Sequence, residues 1–121
     1  MSTQRIGVEA GLRTPSAAAA FVATWWPRRV VSVLVEAMPG HSPGAEGPWS
    51  AERILAALGP QPGPVLVHGE DRWTWPVLRW AQRHGHDTRI GLEDTLHDEL
   101  GRRVETNAEL VREALSPPPR P

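Results

Sequence analysis

At 121 residues and a formal net charge of −1, the chain has the size of one small domain. Apolar residues make up 40% and charged residues 22%, enough for a packed core, and all 13 basic residues are Arg, spread without a basic patch. That spread argues against nucleic acid and anionic membrane as partners, and the absence of Cys removes disulfides, thiol nucleophiles and cysteine-based zinc sites. No apolar run reaches the roughly 18–20 residues of a membrane span, and the N-terminus lacks the apolar stretch of a signal peptide. The expected location is therefore cytoplasmic.

In chain order, Arg5–Glu9 reads as a strand. Thr14 is placed as an N-cap with Pro15 at the first helical position, leading into a helix over Ser16–Thr24. A Val-rich strand follows at Val30–Glu36. Ser50 is the predicted cap of a helix over Ala51–Leu58, which Gly59 ends. Pro64–His68 is a third strand. A helix at Trp75–His84 takes Thr74 as its cap, Pro76 in its first turn and Gly85 as terminator. Thr88–Glu93 is a fourth strand, and Asn107 caps a last helix, Ala108–Leu115. The tail Pro117–Pro121 cannot extend a helix, so 1–116 is expected to fold and 117–121 to form a Pro-rich disordered tail.

Strands alternating with helices predict βαβ units and a parallel sheet. Ile6-Gly7-Val8-Glu9, Val33-Leu34-Val35-Glu36 and Ile90-Gly91-Leu92-Glu93 share one pattern, and Val65-Leu66-Val67-His68-Gly69-Glu70 extends it by two residues. Each predicted strand thus ends in a carboxylate, at the end where parallel α/β proteins place their sites. The plain alternative is that these glutamates mark where strands meet water. Four βα units fit half of a (β/α)8 barrel, and a small doubly wound sheet is the rival. Arg89, Gly91 and Glu93 share one face of the predicted fourth strand. Under a covering helix Arg89 would lack a partner, whereas in a barrel it faces the polar mouth. A partial TIM barrel, strands 5–8, is the predicted fold.

Asp87-Thr88-Arg89-Ile90-Gly91-Leu92-Glu93-Asp94-Thr95 resembles the last strand of the β-keto acid cleavage enzymes, the 3-keto-5-aminohexanoate cleavage family. Val8-Glu9-Ala10-Gly11-Leu12, Leu34-Val35-Glu36, His68-Gly69-Glu70 with Trp75-Pro76, and Asn107-Ala108-Glu109-Leu110-Val111 match it in order. The resemblance implies the C-terminal half of a zinc-dependent TIM barrel. It also implies a retro-Claisen cleavage of a β-keto acid with acetyl-CoA, releasing acetoacetate and a new CoA ester. By position, Glu93 would be a zinc ligand. Asp94 would be the base that removes the proton between carbonyl and carboxylate, and Arg89 would steady Asp94 and the oxyanion. A Lewis acid that acidifies the carbon, a nearby carboxylate and an Arg to hold the enolate are what such chemistry requires. The structural alternative for this trio is an Arg–carboxylate pair bracing a strand end. Glu9, His68 and Glu70 are candidate substrate contacts.

The family's zinc site also uses a His-x-His pair from an early strand, and the chain starts before what would be strand 5. His84-Gly85-His86 precedes the predicted last strand while Glu93 ends it, so it reads as a helix end and turn. His41 and His97 lie in loops without pair spacing. Trp73, Trp75 and Trp80 are placed as helix-packing residues, Trp25-Trp26 are left without a role, and Met38–Trp49 is long enough for a lid. Two functions follow. The chain is one part of a cleavage enzyme, inactive alone, whose partner is a separate N-terminal half-barrel or a second copy. Alternatively it is a non-catalytic remnant acting as a binding or self-association module.

Overall fold

The computed structural model describes residues 7–24, 30–39, 47–61 and 63–120. Three strands, β1 (Val8–Leu12), β2 (Val30–Ala37) and β3 (Val65–Gly69), form a parallel sheet in the order β1-β2-β3. The helices are α1 (Pro15–Ala23), α2 (Pro48–Leu58), α3 (Thr74–Arg83) and α4 (Asn107–Ala114), with a 3-10 turn at Asp71–Trp73 before α3. Among the described residues the sheet does not close on itself, so the arrangement is α/β and consistent with a partial barrel.

Burial explains why the strands register as they do. Val33, Val35 and Ala37 of β2 and Val65 and Val67 of β3 point to one face, where they pack with Leu12, Ala18, Ile54, Leu58, Val77 and Trp80. Period-two alternation then puts Glu9, Ser32, Leu34, Glu36, Leu66 and His68 on the opposite face. α3 is buried almost all round because it lies between two clusters. Trp73, Val77, Trp80 and Ala81 face the sheet, while Trp75 and Leu78 meet Leu110 and Ala114 of α4. The tryptophans at this helix are packing residues, as their spacing predicted. Trp25 and Trp26 lie outside the described residues, as do His41 and most of the Met38–Trp49 loop.

The helix ends test the predicted caps one by one. Thr14 caps α1, its side chain accepting from the Ala17 N–H at 3.0 Å. α2 begins earlier than expected, at Pro48 after Gly47 (φ +53), so Ser50 is a buried helical residue and not the cap. Thr74 is the first residue of α3, its hydroxyl donating instead to the Asp94 carbonyl at 3.1 Å. α4 is capped by Thr106, one residue before the predicted Asn107, in a reciprocal box with Glu109. Asn107 is instead used as an acceptor, its Oδ1 taking the Leu92 N–H at 2.7 Å.

Hydrogen bonds from the Glu105 and Thr106 N–H groups hold the Glu109 carboxyl below its ordinary range. A carboxylate lowered in the folded state adds stability above its unfolded pKa and loses it as pH falls through the folded value. The start of α4 should therefore fray on acidification below about pH 4. Amide exchange at Leu110 and Val111 should accelerate there in the native protein, and less so in Glu109→Gln; equal acceleration in both would remove the box as the cause.

Two strand predictions are corrected. β1 reaches Leu12, three residues past the predicted end at Glu9, because Ala10 and Leu12 pair beside Val33 and Val35; Arg5 and Ile6 of the predicted strand lie outside the described residues. Glu9 consequently lies near the start of the strand, and the residue that follows its end is Arg13. The fourth strand does not form. Asp87 makes one parallel bridge to Leu66, and then the Thr88 hydroxyl donates to the Val67 carbonyl at 2.7 Å, where the next ladder bond would fall. Beyond it, the Asp94 carboxylate accepts the Gly91 N–H and the Asp94 N–H donates to the Gly91 carbonyl. That local turn competes successfully with a strand, as short Asp and Thr side chains commonly do.

Candidate functional site

The carboxyl end of the sheet brings together four ionisable side chains. The register sets Glu36 directly beside His68. Their strands carry the same lead-in, Val33-Leu34-Val35 and Val65-Leu66-Val67, which is why the two end residues face the same way. His68 is 1% exposed, with Nδ1 at 3.3 Å from Asp94 Oδ1 and Nε2 at 3.6 Å from Glu36 Oε1. Neither contact is a hydrogen bond, so both ring nitrogens and Asp94 Oδ1 are buried without a hydrogen-bond partner. Arg13 reaches across from the end of β1 and donates from Nε to Glu36 Oε2 at 2.7 Å. That bond, with the Glu36 charge, raises the Arg13 pKa above its ordinary value.

Asp94 is fixed by its backbone as well as its side chain. Its carbonyl accepts from the Asp71 N–H at 2.7 Å and from the Thr74 hydroxyl at 3.1 Å. Gly69 makes the approach possible. A Cβ there would sit 2.5 Å from the Trp73 carbonyl oxygen, so only glycine lets the turn at Asp71–Trp73 fold back on the end of β3. The strand end, the turn and the Asp94 loop thus form one braced unit.

The candidate residues separate into two groups. Asp94 and His68 come together in the interior, and Glu70 follows β3 half-buried, near enough for its charge to act on Arg13. Arg89 and Glu93 sit at the surface. Their side chains are 41% and 72% exposed and face each other at 3.9 Å. Adjacent Glu93 and Asp94 therefore point in opposite directions, the direct consequence of the turn that replaces the fourth strand. Glu9 is exposed, accepts from the Ser32 hydroxyl at 2.8 Å, and lies four residues before Arg13, about 13 Å along the strand direction.

Glu36 and Arg13 are not among the candidate site residues that the sequence offers. The matching apolar lead-ins of β2 and β3 carried the signal for Glu36. Arg13 became visible only once β1 was placed three residues later than its sequence pattern suggested. The turn at His84-Gly85-His86 is occupied as expected, with His84 Nδ1 at 2.8 Å from the Trp80 carbonyl and both imidazoles stacked on Trp80. His97 contributes its carbonyl to the Trp75 indole N–H. A groove of about 1010 Å³ opens between α3 and residues 95–101, and Asp94, His68 and Glu36 are not among the residues lining it.

The sequence model of the beta-keto acid cleavage enzyme family matches residues 14–116, and no curated protein and no solved structure gives a match. An open parallel α/β sheet with its ionisable residues at the carboxyl end defines the class. Within it, this chain belongs to the beta-keto acid cleavage enzyme family. The match corrects the expectation that the likeness concerns a C-terminal half only, because it runs over nearly the whole 121-residue chain.

The zinc ion implied by the family does not fit the residues described. No group of three or more His, Asp or Glu among them is placed to hold a metal. The two nitrogens of His68 face different carboxylates from different sides of the ring, so one ion cannot use both. Glu93 lies apart from that cluster in solvent. No helix among the described residues is long and apolar enough to cross a membrane.

Proposed function

We propose that this chain alone is a non-catalytic member of its family, a folded module that acts through self-association or binding. The observation that carries this reading is the opposed direction of Glu93 and Asp94. Retro-Claisen chemistry on a metal-bound β-keto acid needs the ligand and the base on one side of one substrate. Here one carboxylate is buried against His68 and the other is held by Arg89 in water. The Gly91–Asp94 turn holds the Asp94 carboxylate inward.

The enzymatic reading is favoured by a separate observation, the run from exposed Arg13 through Glu36 to the buried His68 and Asp94. In that reading, an assembly that supplies the missing groups uses Asp94 as base toward a β-keto acid. Acetyl-CoA is the second substrate, His68, Glu70 and Glu9 are substrate contacts, and Arg89 holds the enolate. Glu93 is then turned inward as a zinc ligand by the assembly.

One assay separates the two readings. The purified chain is incubated with β-keto acid, acetyl-CoA and zinc, and acetoacetate is followed while light scattering reports the oligomeric state. The module reading predicts self-association without turnover. Zinc-dependent turnover that Asp94→Asn abolishes would overturn it and establish the enzymatic reading.

A further inference from the structure

We propose that two copies of this chain pair through the free edge of β1, antiparallel and centred on Gly11, so that Glu9 of each copy faces Arg13 of the other. This inference rests on the self-association reading and names the surface responsible for it.

β1 is a formed strand with one side in use. Among the described residues it pairs with β2 alone, which leaves its other row of backbone donors and acceptors without a strand. An unpaired edge of this kind is a template for another chain. Past the end of β1, Thr14 is extended as well, with φ −141° and ψ 156°, before α1 begins. Glu9, Gly11 and Arg13 recur with period two and are exposed, whereas Ala10 and Leu12 between them are buried. Arg13 shares the face of Glu9, since its guanidinium reaches Glu36 there.

The charges select both the occupant and the register. When two identical strands lie antiparallel, residues of one face stand opposite residues of the same face, and each register has its own central residue. Centred on Glu9, the carboxylates meet; centred on Arg13, the guanidinium groups meet. Centred on Ala10 or Leu12, no two charges face each other. Centred on Gly11, two Glu9–Arg13 pairs form at once, and the facing glycines leave no side chains to collide. A parallel alignment in register sets Glu beside Glu and Arg beside Arg. The edge is thus complementary to itself in one direction and one register.

Both side chains are available for this contact. Glu9 uses Oε2 on the Ser32 hydroxyl and Arg13 uses Nε on Glu36, which leaves Glu9 Oε1 and the terminal nitrogens of Arg13 for the second copy. The neighbouring helix suits the same arrangement. α1 packs against α2 and β1, and its nine residues carry no charge. Ser16, Ala19, Ala20 and Ala23 are exposed, and Val22 is 54% exposed. A two-fold axis through Gly11 and normal to the sheet keeps both copies of α1 on one face, side by side, where these uncharged side chains cover each other. The contact is isologous, so the assembly closes at a dimer.

Gly11→Cys tests the geometry directly, because the chain has no cysteine of its own. A Cβ at this position has Glu36 Oε2 as its nearest neighbour at 3.8 Å, so the variant fits. Opposite residues of antiparallel strands stand about 4.5–5.5 Å apart at Cα, within the reach of a disulfide. With oxidised glutathione as oxidant, Gly11→Cys should form a covalent dimer, and Ala108→Cys, exposed on α4, should not. Sedimentation equilibrium reads the charges. The expected result is a wild-type dimer whose Kd rises about tenfold or more in Glu9→Arg and in Arg13→Glu. An equimolar mixture of the two should recover the dimer, since both contacts of the heterodimer again pair Arg with Glu. Circular dichroism verifies folding; should Arg13→Glu fail to fold beside Glu36, the disulfide and Glu9→Arg decide the matter. A wild-type chain that stays monomeric at all concentrations overturns the self-association reading and this inference with it. A wild-type dimer that is indifferent to Glu9→Arg, or that crosslinks no better through Cys at 11 than at 108, overturns only this assignment of the surface, as does a mixture of folded variants that stays dissociated.

Discussion

Arg79→Leu is expected to destabilise the protein by about 3–5 kcal/mol, the range for removing one partner of a buried ion pair. Arg79 lies in the middle of α3 and is buried, with its guanidinium over the Trp75 ring. Its Nε and Nη2 hold the Glu99 carboxylate, the shortest contact being 2.8 Å. Its terminal nitrogens donate to the carbonyls of Glu113 and Ala114 in the last turn of α4 and of Ser116 just past it. One side chain therefore fastens α4 and the Glu99 loop to α3. Removing it takes the guanidinium away from the part-buried Glu99 carboxylate, while the Glu113 and Ala114 carbonyls keep the Ser116 N–H and the Gln82 side chain as donors. Chemical denaturation should show the loss, and Arg79→Lys should recover little, because a single ammonium cannot reproduce the planar fork. A shift under about 1 kcal/mol would show that α4 is held by Leu110 and Ala114 alone.

The second large effect is at the site. His68→Leu keeps roughly the volume of the buried ring but leaves Asp94 and Glu36 facing one another without the imidazole between them. A loss of about 1–3 kcal/mol is expected, because the buried Asp94 carboxylate then faces an apolar side chain in place of the polar ring. His68→Leu combined with Asp94→Asn should recover part of it, because the double variant no longer buries that charge. Denaturant midpoints of the three variants make the comparison. If the double variant is the sum of two independent losses, His68 and Asp94 do not interact and the cluster is a coincidence of packing.

The parts of this fold that were legible in the sequence are those set by local chemistry. Thr14-Pro15 fixes the start of α1, and Gly59 and Gly85 mark the ends of α2 and α3 with the positive φ that glycine tolerates. The Val-rich runs of β2 and β3 and the tryptophans at α3 identify the core by periodicity. What failed was decided by competition between local and ladder bonding. Thr88-Arg89-Ile90-Gly91-Leu92-Glu93 has the alternation of a strand, yet the Thr88 hydroxyl and the Asp94 carboxylate satisfy the same backbone groups more locally.

That single change reorders the candidate site. A strand with Glu93 at its end would have kept it and Asp94 at the sheet's mouth, whereas the turn sends only Asp94 inside. Glu36 does not stand out in the sequence because its partner is set by register across β2 and β3, which no single strand reveals. Arg79 is hidden in the sequence for a related reason. An Arg one turn after Trp75 reads as a solvated side chain until α4 and the Glu99 loop are seen to close over it. The family resemblance is not confined to a C-terminal half, since the family model matches residues 14–116. It did not foresee that two residues adjacent in the motif would part company.

The most direct test is a carbon-edited NOESY spectrum of the isotopically labelled 121-residue chain, read at the His68 ring protons. Cross-peaks to the Asp94 β-protons and the Glu36 γ-protons are expected, with none to the Glu93 γ-protons. A His68 ring that contacts Glu93, or that faces water with neither Asp94 nor Glu36 in reach, would refute the buried cluster and the separation of the two carboxylates.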